Sequence, residues 1–177
     1  MKGENIMENT SEHTPPVTEN IDATFRRLSE KADLVYFFVA LYSNYIGKTR
    51  NYGLGPEMTM TEAHMLNSIA LTPGTTVTDL AHRWERTTGA VCQTLSKLDK
   101  KGLIERKKTE GNSKTVHLYP TELGWTVDRA HMMYDIADIT ATTQELLENC
   151  TMDELNTFYK VLGIYLDLIR RDQRSEK

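Results

Sequence analysis

The run Thr87-Thr-Gly-Ala90, followed by Gln93, Thr94 and Lys97, sets small residues ahead of hydrogen-bonding side chains at helical intervals. At a helix start, small residues such as Gly89 let the free N–H groups and the helix dipole approach an anion such as phosphate. A Gln amide can pair bidentately with an adenine edge. A Thr offers a hydroxyl and a methyl, and a Lys one turn on reaches phosphate or guanine. Arg106, Lys108 and Lys114 add cations downstream. From His82 to Lys114 nine Lys/Arg stand against four acids, a local +5 in a 177-residue chain of net charge −4, so the remainder carries −9. A basic patch on an acidic body suits phosphate binding without indiscriminate adhesion. Charge alone fits a solvated surface equally well, so the decision falls to the elements that would present these groups.

Ile21, Phe25, Leu28, Ala32, Val35, Val39, Tyr42 and Ile46 recur in alternating steps of four and three. They predict a long amphipathic helix with a coiled-coil-like seam. It ends near Gly47, and Asn51 to Pro56 reads as a loop. Thr59 with Glu62 forms a capping box for a second helix, whose apolar face is Ala63, Leu66, Ile69 and Ala70. Thr76 with Asp79 repeats the pattern for a short third helix. Thr87 caps a fourth, with Val91, Leu95 and Leu98 inward and Gly102 as its stop. Ile104–Lys108 and Lys114–Tyr119 read as the two strands of a hairpin with its tip at 109–113, ended by Pro120. Thr121 opens a long helix to about Asn149, and Thr151 with Glu154 caps a last one carrying Leu155, Phe158, Leu162, Tyr165 and Ile169. Three short helices and a basic hairpin between long helices make a winged helix-turn-helix. In that fold a helix fits the major groove of duplex DNA and the hairpin lies along the backbone or in the minor groove.

The stretch Thr59 to Gly124 resembles the DNA-binding core of MarR-type regulators. The resemblance is carried by Thr59-x-x-Glu62, Asp79-Leu-Ala81, the long run Thr88 to Arg106 and Thr121-Glu-Leu-Gly124. It implies a mainly α fold with a small β-hairpin wing, the winged core being flanked by long dimerisation helices. It also implies that Thr87, Thr88, Ala90, Gln93, Thr94 and Lys97 face the major groove. At the wing tip the family carries Asp-x-Arg where this chain has Asn112-Ser113-Lys114. Asn offers no ionic brace and Lys lacks the planar fork of Arg, so phosphate attraction is expected there rather than the family's minor-groove reading. The implied function is sequence-specific binding of a pseudo-palindromic double-stranded DNA operator by a homodimer, as a repressor released by a small phenolic or lipophilic effector. Tyr36, His64 and Met65 are the residues expected to line the effector pocket.

The expected organisation is a disordered tail over residues 1–20, an N-terminal dimerisation helix and loop over 21–56, the winged core over 57–120 and C-terminal dimerisation helices over 121–177. The alternative is a winged-helix protein-interaction module without specific DNA binding. Enzyme signatures are missing: there is no HExxH, GxSxG or dinucleotide fingerprint, and Gly47-Lys-Thr49 lacks the preceding glycine of a phosphate loop, position 42 being Tyr. No cofactor is expected. No two of the five histidines pair at i,i+4, so spacing suggests no metal site. Cys92 is expected to pack as a small helix residue. Two cysteines without a CxxC, a polar acidic N-terminus and no apolar run of membrane length point to the cytoplasm, with no membrane partner.

Overall fold

The computed structural model describes residues 21–109 and 112–175. The expected tail at 1–20 lies outside them, as do Glu110 and Gly111 at the wing tip and the side chains of Asn112, Ser113 and Lys114. By contact the chain falls into two units, one ending at Ile46 and one running from Gly47.

The first unit is helix α1, Ile21–Gly47, as the four-three spacing predicts, and none of its residues is buried. Its seam residues Phe25, Val35, Val39 and Tyr42 are all exposed. Phe38 stacks on Tyr42 and Tyr42 on Tyr45, the neighbours that i,i+4 and i,i+3 spacing bring together on one face.

The second unit is built around α2 (Met60–Leu71), with α3 (Val77–Arg83), α4 (Thr88–Lys100), α5 (Glu122–Leu147) and α6 (Met152–Ser175). Helix α2 packs against both α4 and α5 and also meets the sheet. It therefore buries Glu62, Met65 and Ser68 in addition to its apolar stripe. Leu66, Ile69, Leu95, Leu98, Leu118 and Val127 are fully enclosed in the same core, each side chain worth about 1.5–3 kcal/mol of apolar burial.

The hairpin strands are longer than the sequence suggests: β4 is Ile104–Thr109 and β5 is Asn112–Pro120. Pro120 pairs with Ile104 at the hairpin root, and the register shifts between Lys108 and Thr109. A two-residue strand that the sequence does not announce, β3 (Thr75–Thr76), adds to the other edge of β5 and gives the order β3-β5-β4. Glycine at position 74, with positive φ, makes the entry, its N–H donating to the Leu118 carbonyl at 2.8 Å. The predicted loop after α1 is likewise framed by a small pair of strands, Thr49–Arg50 and Met58–Thr59.

All five predicted threonine caps form, Thr121 Oγ1 accepting from the Gly124 N–H at the start of α5. Thr59 Oγ1 accepts from the Glu62 N–H while the Glu62 carboxylate accepts from the Thr59 N–H, both at 3.2 Å. Thr76 with Asp79 and Thr151 with Glu154 make the same reciprocal pair, and Thr87 Oγ1 accepts from the Ala90 N–H. Glu62 does more than cap. It is buried, and its Oε2 also accepts from Lys101 Nζ at 2.6 Å while Oε1 lies 3.4 Å from Lys97 Nζ. Burial pushes its carboxyl upward, but the Lys101 hydrogen bond, the Thr59 N–H and the two lysine charges outweigh this and hold it below the ordinary value of 4.5. At the start of α5, Thr121 donates its hydroxyl to the Gly102 carbonyl and its N–H to the Leu103 carbonyl. Gly124 packs so closely there that a Cβ would overlap the Leu103 carbonyl oxygen.

Two predictions follow from this packing. Gly124→Ala should cost about 1–3 kcal/mol in urea unfolding, the usual penalty of overpacking, because the obstacle is backbone. Gly163→Ala, in an open stretch of α6 with nothing within 4 Å of the added carbon, should stabilise by about 0.4–1 kcal/mol. The depressed Glu62 carboxyl contributes stability that is complete above its unfolded value and is lost as pH falls through the folded one. Lys101→Met should therefore destabilise by about 1–3 kcal/mol at pH 7, with the gap to wild type narrowing in unfolding series carried below pH 4.

Candidate nucleic-acid interface

Helix α4 shows one face to the core and one to solvent. Val91, Thr94, Leu95 and Leu98 are buried, whereas Thr88, Gly89, Cys92, Gln93, Ser96, Lys97 and Lys100 are exposed. Gln93 and Lys97 thus lie one turn apart on an open surface, behind a helix start whose Thr87 and Thr88 are also exposed. Ala90 is half-buried beside them.

Two sequence expectations need correction, and two residues of the open face escaped them. Thr94 is not on the open face: only 9% of it is exposed, and its hydroxyl donates back to the Ala90 carbonyl at 3.4 Å. Position 94 falls between Val91 and Leu98 on the inward side of the wheel. Cys92 is exposed rather than packed. Ser96 and Lys100, three and seven residues beyond Gln93, belong to the open stripe and were findable from that spacing.

The hairpin carries its cations beside this stripe. Glu105 to Lys108 are exposed along β4. Arg106 Nε donates to Asp99 Oδ2 of α4 at 2.6 Å, so this arginine braces the wing root against the helix. Lys107 Nζ lies 2.6 Å from Glu105 and 5.0 Å from the centre of the Tyr119 ring. These contacts neutralise Asp99 and Glu105, two of the acids that dilute the basic segment.

On the other side of α2 lie groups that spacing did not bring together. A cavity of about 410 Å³ is lined by His64, Asn67, Arg83, Trp84, Glu85 and Arg170, with Ser68 accepting the Trp84 indole N–H. Of the expected pocket residues, His64 borders it. Met65 is fully buried, turned into the core on the opposite side of α2. Tyr36 is exposed on α1. Arg170 of α6 reaches Glu85 Oε1 at 2.7 Å, where Glu85 holds the left-handed φ of 51° in the turn between α3 and α4.

Next to the cavity, His64 Nε2 and His131 Nε2 stand 3.7 and 3.1 Å from the same oxygen of Asp135. Counting carboxylates as well as imidazoles at i,i+4 would have flagged His131 with Asp135; the contribution of His64 is tertiary. Burial holds the His131 imidazole below its ordinary 6.5 despite the nearby Asp135 charge. Burial also raises the Asp128 carboxyl, which accepts from the Asn67 amide at 3.0 Å. Among the described residues no helix is long and apolar enough to cross a membrane.

Residues 57–114 match the sequence profile of the MarR family. No curated protein sequence matches. Among solved structures, FabT of Streptococcus pneumoniae, determined in complex with DNA, is 22% identical with a TM-score of 0.57 over 83% of this chain and 98% of its own. ZitR of Lactococcus lactis, a zinc-responsive MarR family member, is 19% identical with a TM-score of 0.59 over 80% of this chain and 97% of its own. A cysteine-to-serine mutant of E. coli MarR complexed with operator DNA is 26% identical with a TM-score of 0.54 over 62% of this chain and 76% of its own. The winged segment thus resembles the MarR family in sequence, and the helix order and hairpin of the chain are those of the fold that these solved regulators share.

Proposed function

We propose that this chain is a homodimeric transcription regulator that binds a pseudo-palindromic double-stranded DNA site, acting as a repressor released by a small molecule. The observation that carries the reading is the open stripe of Gly89, Gln93, Ser96, Lys97 and Lys100 on a helix that Glu62 anchors from behind, flanked by a basic hairpin. Gln93 reads a base edge. Lys97, whose side chain is 62% exposed, and Lys100 take phosphate or guanine. Thr87, Thr88 and Gly89 bring the helix N-terminus to the backbone, and Lys108 with the Asn112-Ser113-Lys114 tip follows the phosphates. Arg106 contributes by positioning the wing. That relatives of the same fold were solved on DNA supports the assignment.

The second copy follows from apolar surface. Phe25, Val39, Phe158, Tyr165 and Ile169 lie exposed on α1 and α6, more than a monomer of this size leaves in water. Two copies joined through the helices of 21–56 and 121–177 would set two α4 helices in successive major grooves, about 34–36 Å apart. The cavity beside α2, with two arginines and a tryptophan at its rim, supports a phenolic or otherwise acidic effector over a lipophilic one. Binding there would change DNA affinity to the extent that it discriminates between two reader spacings.

Fluorescence-anisotropy titration onto the gene's own upstream DNA, at several salt concentrations, tests the reading. Tight, sequence-selective binding that weakens steeply with salt is expected. Binding indifferent to both sequence and salt would instead favour a protein-interaction module. Gln93→Ala should lower discrimination at one base pair by about 1–3 kcal/mol, and an unchanged preference would remove Gln93 from the reading face. Lys114→Ala should weaken all sequences alike and reduce the salt slope by about one.

A further inference from the structure

Within the DNA-binding reading above, on which this rests, we propose that Glu62 is a specificity-determining positioning residue: its buried carboxylate shields the Lys97 ammonium from phosphate and aims it at an acceptor on a base edge. The Glu62 side chain is 4% exposed, and its two oxygens are used unequally. Oε2 accepts from the Thr59 N–H at 3.2 Å and from Lys101 Nζ at 2.6 Å, two partners that hold the carboxylate in one orientation. Oε1 faces Lys97, whose Nζ forms an ion pair with it at 3.4 Å.

Gln93, Lys97 and Lys101 follow one another at intervals of four along one edge of α4. The two lysines differ in how they are held. Lys101 is turned inward by two acceptors, since its Nζ also donates to the Glu57 carbonyl at 2.7 Å, and 24% of its side chain is exposed. Lys97 has one ionic anchor and an open side, on the same face as Gln93. An ammonium carries three N–H donors, so a lysine steadied from behind still has donors for a ligand in front.

An anion this close to Lys97 cancels much of its field at a phosphate further out, and a pair with one buried member is screened little by salt. Attraction to phosphate follows net charge and has little direction, so it is what the carboxylate reduces. A hydrogen bond to guanine O6 or N7 depends on where the N–H points, so it gains from a stem whose rotamer freedom is already restricted. A free lysine on this edge adds affinity for any DNA. An anchored one adds discrimination.

The test uses the full chain with Glu62→Gln, Lys97→Met and the double variant. Each is titrated with a scrambled duplex and with heparin at several salt concentrations, and with the gene's own upstream DNA. Gln keeps an acceptor for the Thr59 N–H, and circular dichroism would confirm folding. Glu62→Gln should tighten scrambled DNA and heparin by about 2–10-fold. It should also steepen the salt slope on scrambled DNA by about one and narrow the preference for upstream DNA. The double variant should lose the gain. Tightening is the opposite of what loss of a purely structural anchor produces, which is weaker binding to every sequence. Lys97→Met decides the point even where Glu62→Gln does not fold. It should leave the scrambled-DNA slope nearly as in wild type while costing about 5-fold or more in discrimination at one base pair. Lys100→Met, at an exposed position of the same helix, should flatten that slope by about one. Three results overturn the proposal: unchanged or weaker heparin binding in folded Glu62→Gln, a gain that survives Lys97→Met, or a Lys97→Met slope as flat as that of Lys100→Met. A wild-type chain that binds every sequence alike overturns the operator reading and the aim at a base, and the heparin comparison then decides the shielding by itself.

Discussion

One buried carboxylate joins α2 to the C-terminal end of α4. Glu62 closes the cap of α2 through the Thr59 N–H and takes both Lys97 and Lys101 of α4 on its oxygens. Lys101 also donates to the Glu57 carbonyl just before that cap. A carboxylate enclosed this way is costly unless every lone pair is used, and it is stabilising here because each partner comes from an element already held by apolar packing. The same lysines that make α4 basic are therefore divided. Lys101 is committed to the interior and Lys97 is shared between Glu62 and solvent.

The wing is secured by a similar economy of contacts. Asp99, the penultimate residue of α4, accepts Arg106 from the first wing strand, and Gly102 allows the sharp turn between them at a φ of +69°. Thr121 then ties the far end of the hairpin to the Gly102 and Leu103 carbonyls before α5 begins. Helix, hairpin and following helix converge on Gly102 and Leu103. The angle of the wing against the reader is thus set at its root, whatever side chains its tip carries.

Helix α2 is the common wall of two sites. The face towards α4 supports the open stripe. The face towards α5 and α6 borders the cavity and the His64–His131–Asp135 cluster, and the Arg170–Glu85 contact reaches from α6 into the turn between α3 and α4. The side of α2 away from that cavity is held to α4 through Glu62.

Local chemistry was legible in the sequence wherever it needed only neighbours a few residues apart. The five threonine caps, the α1 seam, the stop at Gly102 and the outward setting of Gln93 and Lys97 all follow from spacing, because helical periodicity and capping are decided within one or two turns. Other features depended on what lies across a gap of many residues. Thr94 turned inward because its side of α4 faces α2. Strand β3 exists because β5 offers it a free edge, and Met65 became core because α2 is enclosed on several sides. The meeting of His64 with His131 and Asp135 is of this second kind. Sixty-seven residues separate the two histidines, and only the packing of α2 on α5 brings their rings within reach.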